Sequence, residues 1–192
     1  MRRILLVEDR PQRQISILGE DFVKSLEEKE GITLSNNLPD ENGLDEFDLI
    51  IVHRSYLIEN NLYQNLLELS KKKSKYVVSF SGGTSQTNLI NEHFLETSAQ
   101  NLYNKNRLES FVEEVTDTDN TIHLLELIYG KNWIVTLLVK YKHLVWQYEK
   151  NIPSNIDDEI YELEEDISHY YNVKGINMQF VDDKISQITQ RL

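Results

Sequence analysis

The chain has no cysteine among its 192 residues. That excludes a disulfide framework, a thiolate zinc site and a cysteine nucleophile, and it suits a reducing compartment. No apolar run approaches the roughly 20 residues of a membrane-spanning helix. No charged-then-apolar leader precedes the first strand pattern, which begins at Ile4. A cytoplasmic protein without membrane contact is therefore expected. Basic residues are also few, 20 against 32 acidic ones, for a net charge of −12. Residues 1–115 and 116–192 each carry −6, so neither part offers the clustered cations that track phosphates. The one dense basic run, Lys71-Lys72-Lys73 with Lys75, closes a helical pattern, where it complements the helix dipole. Nucleic acid is not expected as a partner.

A hydrophobic fraction of 40% supports a packed core. Two apolar runs near the start set the fold class. Ile4-Leu5-Leu6-Val7 runs into Glu8-Asp9, and Phe47-Asp48-Leu49-Ile50-Ile51-Val52 runs into His53 and Arg54. Unbroken β-branched runs of this length read as strands covered on both faces, as in parallel sheets. Sites in such folds lie at the carboxyl ends of the strands, which sets His53 across a cleft from Glu8 and Asp9.

Strand-like and helix-like patterns alternate through the first part. After Pro11, which suits a first helical turn, Ile15, Leu18, Phe22, Val23 and Leu26 recur at helical spacing. Ile32-Thr33-Leu34 is a short strand, and Ser35 to Asp45 is loop or a poorly formed helix. A helix carrying Leu62, Leu66, Leu67 and Leu69 leads to the strand Tyr76 to Phe80, which opens into Ser81-Gly82-Gly83-Thr84. A weaker helix with Leu89, Ile90 and Phe94, a strand around Asn101 to Asn104, and a helix with Leu108, Phe111, Val112 and Val115 complete the pattern. The expected architecture is α/β: a doubly wound, five-stranded parallel sheet in the order 2-1-3-4-5, spanning residues 1–115.

Thr116 to Thr121 contains no apolar residue and reads as a linker or helix stop. Beyond it, residues 116–192 read as a small all-helical region. Its patterns are Ile122 to Lys150 with Trp133 and Trp146, then the stripe Ile160, Leu163, Ile167 and Tyr170 opposite acids from Asp157 to Asp166, then Val181 to Leu192. So small a helical region packs on the sheet or pairs with a second copy.

With these segments in place, residues 1 to about 115 resemble the receiver domain of two-component response regulators. The match rests on the first strand with Glu8-Asp9 and Pro11, on Ser81 after the Tyr76 to Phe80 strand, and on Lys105 before the Leu108 helix. The resemblance implies a flavodoxin-like fold, a metal-holding acidic pair at Glu8 and Asp9, a hydroxyl residue at Ser81 and a cleft lysine at Lys105. Tyr103 stands one place from the family's switch aromatic, and Asn106 replaces the proline that usually follows the lysine. The decisive departure is His53, which occupies the position of the phospho-accepting aspartate. An imidazole removes both the acyl-phosphate acceptor and a hard oxygen ligand for magnesium. Ordinary receiver phosphorylation is then lost, and neither cofactor nor metal is expected; any metal would fall to Glu8 and Asp9. Three carboxylates in one cleft call for a cation, whereas Glu8 and Asp9 beside His53 and Lys105 approach balance without one. On that basis His53 is expected to be partly protonated, with its pKa raised. A structural histidine bonded to a backbone carbonyl is the competing reading.

Three functions follow from these residues. The first is a non-enzymatic pseudo-receiver acting through protein–protein interaction, with a protein partner or a second copy. Docking would use the face near the Phe94 and Leu108 helices, or a dimer would form through 122–192. The second is a phosphorelay role with phosphate on His53, or on His123 in a helical bundle, although Leu124-Leu125-Glu126 lacks the lysine and small residues usual after such a histidine. The third, a metal-dependent hydrolase on Glu8, Asp9 and His53, has a thinner ligand set than such enzymes use.

Overall fold

Every residue of β1 (Ile4–Val7) and β3 (Leu49–His53) is buried, as their unbroken apolar sequences require of central parallel strands. They lie side by side in register, Ile4 against Leu49 and Val7 against Val52. A computed structural model of the chain resolves two units, Met1–Gly130 and Lys131–Leu192. The residues it describes are 1–72, 75–83, 87–91, 93–117 and 122–130, all in the first unit. The helical patterns expected between Trp133 and Leu192 lie outside the described residues.

The first unit is an α/β fold around a mostly parallel sheet of six strands. Its order is β2-β1-β3-β4-β6-β5, with β2 at Ile32–Ser35, β4 at Tyr76–Ser81, β5 at Asn88–Asn91 and β6 at Phe94–Ser98. Only β5 runs antiparallel, paired with β6 at the sheet edge. Pleating divides the strand residues between two faces. Leu5, Val7, Ile50, Val52, Val77 and Phe94 share one core with Leu57 of α4 (Arg54–Glu59) and Leu66 of α5 (Tyr63–Lys72). The alternate set, including Leu6, Ile51 and Phe80, turns to the opposite face, where α7 (Lys105–Thr116) packs along β1.

Several elements differ from the sequence-based expectation. The sheet has six strands rather than five, because Leu89, Ile90 and Phe94 lie on two strands instead of one helix. Asn91 Oδ1 accepts the backbone N–H of His93 at 2.8 Å, an Asx turn that competes with helix formation and reverses the chain. Phe94 is thereby fully buried in β6, so it does not share an exposed helix face with Leu108. The fifth parallel strand is Phe94–Ser98, and the residues near Asn101 form a single helical turn, α6 (Ala99–Leu102), capped by Ser98 Oγ. The first helix divides into α1 (Pro11–Leu18) and α2 (Glu20–Glu27) at Gly19, whose φ of +79° breaks the spiral. The loop before β3 holds only the one-turn α3 (Glu41–Leu44). Ile122 to Leu125 form a turn rather than a helix. The short α8 (Glu126–Tyr129) packs on α6 and α7, so the unit extends to Gly130, past the 116–121 segment. No described helix is long and apolar enough to cross a membrane.

Lys75 closes the loop before β4 by donating to the carbonyls of Asp45 and Phe47, both at 2.7 Å. Gly31 joins the start of β2 to the end of α7. Its φ is +90°, and a Cβ there would meet Thr116 Cγ2 at 2.7 Å and the Arg2 carbonyl at 3.1 Å. Gly31→Ala should therefore cost about 2–4 kcal/mol from left-handed strain plus overpacking, read as a fall in the urea midpoint. Thr116→Ser in that background, which removes the clashing methyl and keeps the hydroxyl, should recover part of the loss. No recovery would mean that the packing account is wrong.

Candidate functional site

The carboxyl ends of β1 and β3 bring Glu8, Asp9 and His53 together, and a residue outside the sequence-based site joins them. Arg13, on the first turn of α1, lays its guanidinium across the cleft. Its Nη2 donates to Glu8 Oε1 at 2.7 Å and approaches Asp9 Oδ1 at 3.4 Å, while Nη1 lies 3.0 Å from His53 Nε2. Glu8 is only 2% exposed and is held from two further directions. Oε1 also accepts the Arg10 N–H at 3.0 Å, and Oε2 accepts the Tyr103 hydroxyl at 2.6 Å. Burial by itself pushes the Glu8 carboxyl up. The hydrogen bonds from Tyr103, Arg13 and the Arg10 N–H, with the charge of Arg13, outweigh it and hold the group below its ordinary 4.5. Tyr103 shifts the opposite way, raised first by burial and then by its bond to the Glu8 carboxylate.

His53 is a buried side chain with both ring nitrogens engaged. Nδ1 lies 2.6 Å from Ser55 Oγ and 3.6 Å from Asp9 Oδ1. A guanidinium can only donate, so Nε2 must be the acceptor, which leaves a neutral ring with its proton on Nδ1 facing Ser55. The electrostatics agree: burial foremost, then the charge of Arg13, lower the His53 pKa below 6.5 against the opposing pull of Glu8 and Asp9. The expected partly protonated imidazole with a raised pKa is thus corrected. The acidic pair has its cation already, in Arg13. Edge-to-face packing continues the cluster inward, His53 on Phe80 at 5.1 Å and Phe80 on Tyr103 at 5.3 Å between ring centroids.

The other sequence-predicted residues fall elsewhere. Ser81 follows Phe80 on β4, so pleating turns it to the opposite face from His53. No hydrogen bond links it to Glu8, Asp9 or His53. Lys105 begins α7, is exposed, and sets its Nζ 5.7 Å from the centroid of the Phe22 ring, a cation–π contact outside the cleft. Tyr103 is drawn in as an anchor of Glu8 and is 5% exposed. His123 lies in the turn before α8, its carbonyl accepting the Glu126 N–H.

Arg13 had a legible signal. It stands four residues after Asp9 and two after the Pro11 that starts α1, a spacing at which a cation folds back onto an acid. Ser55 had none beyond its place two residues after His53. Among the described residues, no three His, Asp or Glu side chains converge as metal ligands. The arrangement is a charge-balanced lock: a buried carboxylate, a guanidinium bridge and a neutral imidazole. It presents no unengaged nucleophile. No family model matches the chain, and no curated protein or solved structure matches it either.

Two expected outcomes test this geometry. Tyr103→Phe strips a charge-assisted hydrogen bond from a buried carboxylate and should cost about 1.5–3 kcal/mol in urea denaturation. For His53 the folded ring resists protonation where the unfolded ring accepts a proton, so stability should decline as pH falls below about 6.5. Glu8, held low, adds stability that is complete above about 4.5 and is lost as pH falls through its folded value. His53→Gln should flatten the upper slope and leave the lower one. An unchanged profile across both windows would contradict the neutral-ring assignment.

Proposed function

We propose that the α/β unit is a receiver-like interaction module that works without phosphate at the His53 position, its cleft held closed by its own arginine. The observation that carries this reading is Arg13, which bonds Glu8 and reaches Asp9 and His53. In the receivers this part of the chain resembles, that seat belongs to a magnesium ion and an aspartate. Here a fixed guanidinium supplies the positive charge and an imidazole stands where the carboxylate would, so the cleft has neither a phosphoryl acceptor nor a call for a divalent cation.

The order of the five parallel strands, β2-β1-β3-β4-β6, supports a flavodoxin-like, receiver-like frame. The antiparallel β5 takes the place where the resemblance calls for a crossover helix. The partner class is protein, a second copy of the chain included, because a net charge of −12 with its one dense basic run, Lys71-Lys72-Lys73 and Lys75, at a helix end disfavours nucleic acid. The module acts by binding rather than by catalysis. The phosphorelay alternative on His53 would require a ring nitrogen released from Arg13 or Ser55, and His123 stands in a turn rather than on a bundle helix.

Amide NMR spectra of the full chain test the proposal. Millimolar magnesium should leave Glu8, Asp9, His53 and Arg54 unmoved, and incubation with acetyl phosphate should leave no acid-labile phosphate. Arg13→Ala empties the cation seat, so magnesium should then shift Glu8 and Asp9. Label on His53 or His123, or a magnesium response in the unaltered chain equal to that of Arg13→Ala, would overturn the reading.

A further inference from the structure

The sheet ends at β2 on one side, and among the described residues Ile32–Ser35 pair only with β1. A parallel strand turns the backbone groups of alternate residues to opposite sides. The Ile4 N–H donates to the Gly31 carbonyl at 2.7 Å and the Glu8 N–H to the Ser35 carbonyl at 3.0 Å, so Gly31, Thr33 and Ser35 face β1. The N–H and C=O of Ile32 and Leu34 therefore point away from the sheet, and no described residue bonds them. Edge strands are commonly blunted by lysine, proline or a bulge. At the other edge, β5 has such an irregularity between Leu89 and Asn91. β2 has none of the three. Its register with β1 is unbroken, and Thr33 is exposed.

We propose that the free edge of β2 takes an extended, basic segment of a protein partner as a further strand of the sheet. The main chain of that segment supplies the hydrogen bonds that Ile32 and Leu34 lack. Its charge follows from the surroundings of the edge. Glu28 and Glu30, just ahead of β2, are exposed, and their carboxylates have no partner among the described residues. Lys29, between them, is engaged by Glu109 and Glu113 of α7 at 3.1 and 2.8 Å, and the Arg2 guanidinium donates to the Asp117 carbonyl. An incoming lysine or arginine thus meets uncompensated negative charge at this end of the edge. The side-chain pattern of the segment follows from β2 itself. Leu34 lies on the side of α1 and α2, where it lines a cavity of about 310 Å³ with Leu6, Ile15 and Val23, so the segment is apolar on that face. Thr33 turns to the opposite, exposed face, which suits a polar residue. A second copy of the chain fits less well, because it brings another −12 to an acidic edge. This inference rests on the protein-partner part of the proposed function. It reads the β2 edge, whereas the magnesium and Arg13→Ala measurements read the cleft, so either can fail alone.

A capped peptide, Lys-Lys-Thr-Val-Thr-Val-Thr, serves as the probe. Titrated at millimolar concentration into the full chain, it should move the Ile32 and Leu34 amide protons downfield and slow their exchange with solvent, with the Leu34 and Val23 methyls shifting alongside. The analogue with glutamates in place of the lysines should bind roughly tenfold more weakly. The analogue N-methylated along its Val-Thr stretch should not pair. Glu28→Lys combined with Glu30→Lys, both at exposed positions, should weaken the peptide at least fivefold and leave the β1 amides in place. Leu34→Pro removes an outward N–H and spares the pairing with β1, so it should abolish the shift at Ile32. The charge variant decides the matter even where Leu34→Pro does not fold. No shift at Ile32 and Leu34, equal binding of the glutamate analogue, or affinity untouched by the double charge reversal would overturn the proposal. So would a dimer of the peptide-free chain in light scattering that the peptide splits, because a second copy would then cover the edge.

Discussion

A carboxylate buried to 2% exposure at the end of a central strand needs compensation, and Tyr103, Arg13 and the Arg10 N–H provide it, Arg13 alone bringing an opposite charge. Removing an ionised carboxylate from water costs several kcal/mol unless hydrogen bonds and an opposite charge replace the lost hydration. Glu8 receives the Arg13 guanidinium, the Arg10 N–H and the Tyr103 hydroxyl. Those contacts tie the start of α1 and the segment between α6 and α7 to the end of β1. The same guanidinium then dictates the state of His53, because an imidazole facing a fixed cation keeps its lone pair toward it. Arg13 therefore sets the charge of the cleft and the tautomer of the histidine, while Glu8 itself holds the tyrosine.

This constraint has a functional consequence. Under the receiver-like proposal, a phosphate and a metal ion would have to change the charge of the cleft, and Arg13 already supplies a cation there. The surfaces of the unit remain, carried on a sheet whose central strands are fully buried. Both ring nitrogens of His53 are engaged, by Arg13 and by Ser55, as the proposed binding module requires.

Much of the frame was legible in the residues. The apolar runs at Ile4 and Leu49 announced central parallel strands, and Glu8, Asp9 and His53 met where strand ends meet in such folds. Leu89, Ile90 and Phe94 misled because their spacing suits a helix, while the Asx turn at Asn91 depends on one side-chain oxygen reaching one backbone N–H. Lys105 lies apart from Glu8 and His53 because α7 begins at it and leaves it on the surface by Phe22. Periodicity reports which residues avoid water, and it carries little information about where a long cationic side chain ends.

By itself, the sequence determined that a mostly parallel sheet would form and that its first and third strands would end in an acidic pair and a histidine. Those outcomes follow from local hydropathy, which acts through burial and needs no knowledge of distant partners. Only the tertiary structure decided that Arg13 would occupy the cleft, that Tyr103, 95 residues away, would bond Glu8, and that His53 would be neutral. Charge state is a property of the assembled neighbourhood, because desolvation and Coulomb forces depend on which groups the folded chain sets within a few ångströms of one another.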